Sequence, residues 1–351
     1  MAAQRKDLMD SRLVEIRHEP PLMPDDEDRL DVLFECNEKL FNVILSDRTL
    51  PDFDGPNSIE RGYLKRLDDC AWEGDATDEP LDADLQYNII YGDIENLAQT
   101  LCQPIFQERA PAIEDRSLRK DLHAYMHPEV FNFRLVTLSG EPKLIQRDDV
   151  DPLNLHPPLP DTTPISPNIP RFPASSIEVT EKLERDWVLK VLLNGQVMCC
   201  KLTNRATHEF LSQEYRALQQ ILDAGLTPLP RVPCLKGVVQ SKEGAVVGIL
   251  MEYINKTLPS LADALSKDDI IEKSRRAKWA TQIEDTLRQL HAIGVVWGDA
   301  KTSNILIDEK DDAWIVDFGG GQTLGWVDCE LVGSKDGDLQ ALKKVLEALH
   351  A

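Results

Sequence analysis

Residues 291–319, HAIGVVWGDAKTSNILIDEKDDAWIVDFG, constrain this chain more than any other stretch. Asp299, Lys301 and Asn304 fall in the run GDAKTSN, and Asp317 opens Asp-Phe-Gly 13 residues after Asn304. Ile305-Leu306-Ile307 and Trp314-Ile315-Val316 are short apolar runs with strand character, and the polar stretch Asp308 to Asp312 joins them as a turn. A hairpin of that kind holds Asp299, Asn304 and Asp317 at one end. Three oxygen-bearing side chains beside a lysine suit a hard divalent cation and a phosphate, because magnesium takes carboxylate, amide and phosphate oxygens in octahedral array.

GDAKTSN followed by DFG resembles the catalytic loop and metal loop of the protein-kinase-like superfamily, whose pattern is H-R-D-L-K-x-x-N and then D-F-G. Trp297 and Gly298 stand where that pattern has His and Arg. The resemblance implies that Asp299 is the catalytic base and that Lys301 steadies the γ-phosphate. It also implies that Asn304 and Asp317 hold Mg²⁺ and that the cofactor is ATP.

The order of elements upstream is similar to a kinase small lobe. IEVTEKLE, WVLKVLL and QVMCCKLT are strand-like, and Asn194-Gly195 between the last two is a strong hairpin signal. Met198-Cys199-Cys200-Lys201 stands for the family's Val-Ala-Ile-Lys, which puts Cys199 at the nucleotide and Lys201 on its α- and β-phosphates. THEFLSQEYRALQQILDAG reads as a helix, with Phe210, Leu211, Tyr215, Leu218 and Ile221 on its apolar face. Glu214 on that helix matches the glutamate that pairs with the lysine, with Glu209 as the rival candidate. PCLKGVVQ and AVVGILMEYI read as two further strands. By resemblance Met251 is the gatekeeper, and the backbone of Glu252 and Ile254 meets adenine. The helical repeat of Trp279, Ile283, Leu287 and Leu290, ended by Gly294, leads into the Asp299 loop.

Three features depart from the family pattern. No glycine lies between Glu181 and Asp186, where a Gly-rich loop normally closes over the phosphates. Gly298 replaces the arginine that would receive an activation-loop phosphate. After Asp317 comes one helix, DLQALKKVLEALH, with no Ala-Pro-Glu, so the large lobe is truncated. Asp338 resembles the aspartate that opens the central large-lobe helix and braces the catalytic loop. A similar truncation and a G-D-x-x-x-S-N loop occur in the small atypical kinase of the tRNA threonylcarbamoylation complex. The G-D start is also similar to choline and aminoglycoside kinases, while Lys301 favours the protein-kinase side. The chain most resembles short, divergent kinase-like proteins of filamentous fungi.

The remaining half is less informative. Residues 29–46, RLDVLFECNEKLFNVILS, place Leu30, Leu33, Cys36, Leu40, Phe41 and Ile44 at helical spacing. A second helix is expected through ADLQYNIIYGDIENLAQTLCQPIF, with Pro104 ending or kinking it. VFNFRLVTL, the turn SGEP and KLIQ read as a hairpin. His123, His127 and His156 are scattered, and no catalytic constellation lies in the first 150 residues. Residues 151–173 hold eight of the 22 prolines, which favours extended polyproline II. That stretch reads as a spacer, a partner peptide for an SH3-like module, or a strand lying along the kinase lobe.

A net charge of −22 disfavours nucleic acid and anionic membranes as partners. Seven cysteines without C-x-x-C spacing fit reduced thiols, and the N-terminus lacks a signal-peptide core. No apolar run is long enough to span a bilayer. These features point to the cytoplasm or nucleus. The expected fold class is α+β. A mostly helical accessory region (1–150) and a linker (151–173) precede a two-lobed kinase-like domain. That domain has an antiparallel five-stranded small lobe (174–254) and a truncated helical large lobe (255–351).

The expected activity is ATP- and Mg²⁺-dependent phosphate transfer to a serine or threonine hydroxyl of a protein, or to a small-molecule acceptor. The other readings are a pseudokinase-type docking module, with protein partners at the linker or N-terminal region, and an ATPase.

Overall fold

The computed structural model describes residues 14–17, 29–47, 58–72, 80–110, 120–184, 187–204, 208–257, 260–266, 271–321, 323 and 325–350. The chain divides into two compact units. One comprises residues 1–118 and 127–153, the other 119–126 and 154–351.

The first unit begins with β1 (Val14–Arg17), β2 (Arg29–Cys36) and β3 (Lys39–Ser46), followed by α1 (Ile59–Trp72) and α2 (Pro80–Arg109). The helix expected over 29–46 is thus two strands. Asn37 and Glu38 between them both have positive φ, 48° and 66°, which breaks a helix and suits a tight hairpin turn. The apolar residues look helical in spacing because both faces of these strands are buried, so apolar residues do not keep to alternate positions. The helix α2 runs past Pro104 to Arg109, and its buried line is Ile94, Ala98, Cys102 and Phe106.

After β4 (Lys120–Asp121) and α3 (Leu122–Met126), which belong to the second unit, the chain returns to the first. There β5 (Val130–Leu138) and β6 (Glu141–Gln146) form the expected hairpin. The resulting sheet has the order β1-β2-β3-β5-β6, with β3 and β5 parallel. Leu30, Val32, Phe34, Phe41 and Val43 pack with the α2 line, and Phe106 meets Phe41 edge-on at 4.8 Å. The accessory region is therefore a sheet layered with two helices rather than a mainly helical segment.

The second unit continues with β7 (Arg171–Pro173), β8 (Glu178–Glu184), β9 (Val188–Leu193) and β10 (Gln196–Leu202). Then come α4 (His208–Ala224), β11 (Leu235–Gln240) and β12 (Val246–Glu252). The five expected small-lobe strands are present, but the sheet has seven, in the order β4-β8-β9-β10-β12-β11-β7. The two additions sit at the edges, and β7 pairs parallel with β11. Asn194 and Gly195 turn the β9–β10 hairpin with φ of 51° and 77°, as that dipeptide predicts.

The proline-rich stretch is not a free spacer. Residues 154–173 belong to the second unit, with Leu159 and Ile169 in its main apolar cluster. Prolines exclude this stretch from helix or inner strand, yet its leucine and isoleucine supply enough apolar surface to dock it.

The large lobe consists of α5 (Leu261–Ser266), α6 (Lys273–Ala292), β13 (Ile305–Ile307), β14 (Ala313–Ile315) and α7 (Lys335–His350). Trp279, Ile283, Leu287 and Leu290 line the buried face of α6, as their spacing predicts. Gly294, at φ 83°, lies just beyond its end. The basic cluster at the start of α6 meets the Asp311-Asp312 turn, with Arg275 to Asp311 at 2.6 Å and Lys278 to Asp312 at 3.0 Å. None of the seven cysteines forms a disulfide. No helix among the described residues is long and apolar enough to cross a membrane.

Candidate functional site

Strand alternation aims Lys201. Along β10, Met198, Cys200 and Leu202 are buried in the core beneath the sheet, so Cys199 and Lys201 face the other way. There a cavity of about 350 Å³ is lined by Cys199, Lys201, Glu214, Met251, Glu252, Ile254, Asn304 and Asp317, among others. The helix α4 presents Glu214 across it, and the Lys201 ammonium donates to Glu214 Oε2 at 2.7 Å and to Asp317 Oδ1 at 2.7 Å. The rival Glu209 is not among the residues lining the cavity.

Burial opposes the charges of this trio, and their mutual attraction answers it. Burial raises the Glu214 pKa, against the pull of Lys201. Burial would lower the Lys201 pKa, but the Glu214 and Asp317 carboxylates hold it above the usual lysine value. Asp317 stays below the usual carboxylate range despite burial, because Lys201 stabilises its charge. Burial pushes the Cys199 thiol up to about 12, so that side chain is an apolar wall rather than a nucleophile.

The β13–β14 hairpin forms as the sequence indicates, with Ile305 opposite Ile315. Asp317 follows it at φ 65°, a left-handed conformation rare outside glycine. Phe318 after it is buried, and its backbone N–H donates to Glu214. Gly319 fits closely, since a Cβ there would lie 3.0 Å from the carbonyl oxygen of Phe210.

Asp299 and Lys301 sit beside the cavity in a ring of hydrogen bonds. Lys301 Nζ donates to Asp299 Oδ2 at 2.6 Å and to Thr323 Oγ1 at 2.9 Å, and Thr323 donates to Asp299 Oδ1 at 3.0 Å. Asn304 Nδ2 donates to the Asp299 carbonyl at 2.9 Å and to its Oδ2 at 3.0 Å. The Asn304 amide thus ties the Asp299 loop to the cavity that also holds Asp317. Of the residues singled out from the sequence, Cys199, Lys201, Glu214, Met251, Glu252, Ile254, Asn304 and Asp317 line this cavity, Asp299 and Lys301 sit beside it, and Glu209 stays outside.

Gly298 explains one departure from the family pattern. Its φ is 86°, and a Cβ there would lie 3.2 Å from Gly320 Cα. An arginine at this position would meet both obstacles. Gly298→Ala is expected to lower stability by about 1–3 kcal/mol. Gly195→Ala, at φ 77° with open space around it, carries the backbone cost alone and should lose less. Urea midpoints of the two variants check the difference, and equal losses would show that the contact with Gly320 costs nothing.

Some contributors were not read from the sequence. Thr323 closes the Asp299–Lys301 ring, and Trp187, Val188 and Leu306 also line the cavity. Val188 and Leu306 sit in runs that read only as strand, where neither face is marked. Thr323 lies in a glycine-rich stretch with no periodicity to flag it. His291 Nε2 lies 2.8 Å from Asp338 Oδ2, a pairing visible only once α6 and α7 pack together.

Residues 188–329 match the protein kinase domain family. The chain is 31% identical over 130 residues to mitogen-activated protein kinase kinase kinase 17 of Arabidopsis thaliana, covering 36% of this chain and 33% of that protein. It is 29% identical over 154 residues to the serine/threonine-protein kinase grp of Drosophila melanogaster, covering 40% of this chain and 29% of that one. A probable serine/threonine-protein kinase of Dictyostelium discoideum is 29% identical over 143 residues, covering 38% of this chain and 8% of that protein. The chain therefore spans a third or less of the length of these relatives. With the seven-stranded sheet, the cleft against it and the loop pair at its floor, these matches identify residues 188–329 as a domain of the protein-kinase-like superfamily.

Proposed function

We propose that this chain binds Mg·ATP in the cleft and transfers the γ-phosphate to a serine or threonine hydroxyl. The observation that carries this reading is the Lys201 ammonium held between Glu214 and Asp317 at 2.7 Å each. Keeping a part-buried cation between two carboxylates costs desolvation, and gripping the α- and β-phosphates gives that arrangement a use. The backbone of Glu252 and Ile254, where β12 leaves the sheet, meets the adenine edge, with Met251 and Cys199 as apolar walls.

A divalent cation fits the donors present. Asn304 and Asp317 offer an amide and a carboxylate oxygen to one cavity, the ligand types that Mg²⁺ takes. Among the described residues no group of three or more His, Cys, Asp or Glu could hold a metal. The cation therefore depends on phosphate oxygens and water for the rest of its shell, and when bound it neutralises charge developing on the phosphates.

The chain's own residues do the remainder. Asp299 orients the acceptor hydroxyl and takes its proton. Lys301, already at Asp299, places a positive charge for the transferring phosphoryl group. Asn304 holds the Asp299 loop to the metal-binding side of the cleft. The gain comes from positioning and from fixed charge, not from covalent chemistry by the protein.

Thermal stability with and without Mg·ATP tests this. Ligand at ~100 times its Kd adds about 2.7 kcal/mol. The expected result is a metal-dependent rise that Asp317→Asn and Lys201→Ala abolish. No rise at millimolar Mg·ATP would overturn the nucleotide site.

A second reading has its own support. No glycine lies between Glu181 and Asp186, and Leu183, Trp187 and Val188 line the cavity near that stretch. A nucleotide whose phosphates are not covered could serve to stabilise a docking surface without transfer. Binding of Mg·ATP without any turnover is the outcome that favours this reading.

A further inference from the structure

We infer that the proline-rich strap, residues 155–173, is a clamp that holds α4 in the position where Glu214 meets Lys201, with Thr163, Ser166 and Tyr215 as its positioning residues. The inference rests on the nucleotide-site reading above.

The strap is anchored at both ends to the sheet, on β12 and on β11. At one end the Leu159 N–H donates to the Val246 carbonyl at 2.8 Å. At the other, β7 pairs with β11, and the Val238 N–H donates to the Pro170 carbonyl at 2.9 Å. Phe172 packs so closely on Gly237 that a Cβ there would lie 2.6 Å from the ring. Leu159 and Ile169 join the same apolar cluster as Leu211, Tyr215 and Leu218 of α4.

Between its anchors the strap crosses α4 and bonds to it three times. The hydroxyls of Thr163 and Ser212 are hydrogen-bonded to each other, and both residues are buried. The Ser166 N–H donates to Tyr215 Oη at 3.0 Å, and that hydroxyl donates to Gln219 Oε1 at 3.2 Å. Arg216 Nη2 donates to the Thr162 carbonyl at 2.8 Å.

The spacing of these contacts gives the clamp its direction. Ser212, Tyr215, Arg216 and Gln219 fall at i, i+3, i+4 and i+7, which is one face of a helix. Glu214 lies two residues from Ser212 and two from Arg216, so it projects from the opposite face. The strap grips the outer face of α4 while Lys201 meets the inner one. Rotation or outward travel of α4 would break the strap contacts and the Lys201–Glu214 pair together. Proline makes the strap stiff: few conformations are open to it when free, so little entropy is lost on docking.

The test is a double-mutant cycle on the full chain, with Mg·ADP as the probe. Thr163→Val with Tyr215→Phe removes two hydroxyls and almost no volume. It is expected to weaken Mg·ADP about fivefold, from the ordinary worth of hydrogen bonds lost at α4. Thr163→Ser, which keeps its hydroxyl, should retain wild-type affinity. In a Glu214→Gln background the same pair of strap substitutions should have no further effect, because the clamp acts through Glu214. An additive loss in that background, or unchanged affinity in the wild-type background, overturns the clamp.

Hydrogen exchange of the α4 amides is read on the same proteins. It should quicken over residues 208–224 in the strap variant, and unchanged exchange there also overturns the clamp. If the wild type binds no Mg·ADP, the nucleotide reading fails and the exchange measurement alone decides the clamp.

Discussion

Asp299→Asn should leave the fold and Mg·ATP binding intact and lower phosphate transfer by about 10²- to 10⁴-fold, the usual worth of a positioned general base. The substitution preserves shape. Asparagine can still accept from Thr323, which meets Asp299 Oδ1 at 3.0 Å. What it loses is the charge beside Lys301 Nζ, now 2.6 Å from Asp299 Oδ2, and the capacity to take a proton. The side chain is nearly buried, at 11% exposure, so water does not readily substitute for the lost carboxylate.

The measurement is transfer of labelled γ-phosphate from ATP to hydroxyl-bearing acceptors, beside the thermal shift with Mg·ATP. Loss of transfer with the shift retained supports Asp299 as the base. Transfer above about a tenth of wild type would remove it from that role. A wild-type protein that binds Mg·ATP and transfers nothing would favour the docking-module reading.

The legibility of the sequence follows from which interactions are local. The Asn194-Gly195 hairpin, the stripe on α6 and the β13–β14 turn are each set by a short run, and each stands where the sequence indicates. The loop residues Asp299 and Asn304, with Asp317 and Lys201, lie together as their resemblance to the kinase loop motifs implied.

Three things were not legible, each for a physical reason. The β2–β3 hairpin has both faces buried, and apolar residues spread over both faces of a strand do not distinguish period 2 from period 3.6. Its mark was Asn37-Glu38, a turn pair weaker than Asn-Gly. The docked strap was hidden because proline content reports backbone stiffness and says nothing of what Leu159 and Ile169 will pack against. Thr323 joins Asp299 and Lys301 from 24 and 22 residues away, through a stretch with no pattern to fix its path.

Asp338 sets the largest expected effect on stability. Its carboxylate is 2% exposed and accepts from the Trp297 N–H at 2.8 Å and the Gly298 N–H at 2.9 Å, with His291 Nε2 at 2.8 Å. Those two amides lead directly into Asp299, and Trp297 itself is fully buried. Asp338→Ala would leave three polar partners facing a void. At roughly 1–3 kcal/mol per buried donor left unpaired, a loss of about 3–5 kcal/mol is expected. With a urea m value of about 2–3 kcal/mol per molar, the upper part of the usual range as suits its size, the midpoint of the unit carrying Trp279 and Trp297 should fall by about 1–2.5 M. Fluorescence of those buried tryptophans follows that unit.

Asp338→Asn keeps one oxygen acceptor but turns an NH₂ toward a donor, so its loss should be smaller and still measurable. The order Ala, then Asn, then wild type in midpoint is the signature of a carboxylate bracing a loop through its hydrogen bonds. If Ala and Asn lose equally and by less than about 1 kcal/mol, the loop is held by the packing of Trp297 instead. The brace would then be the apolar cluster that Trp297 shares with Phe318 and Val345, and Trp297→Ala would become the more damaging substitution.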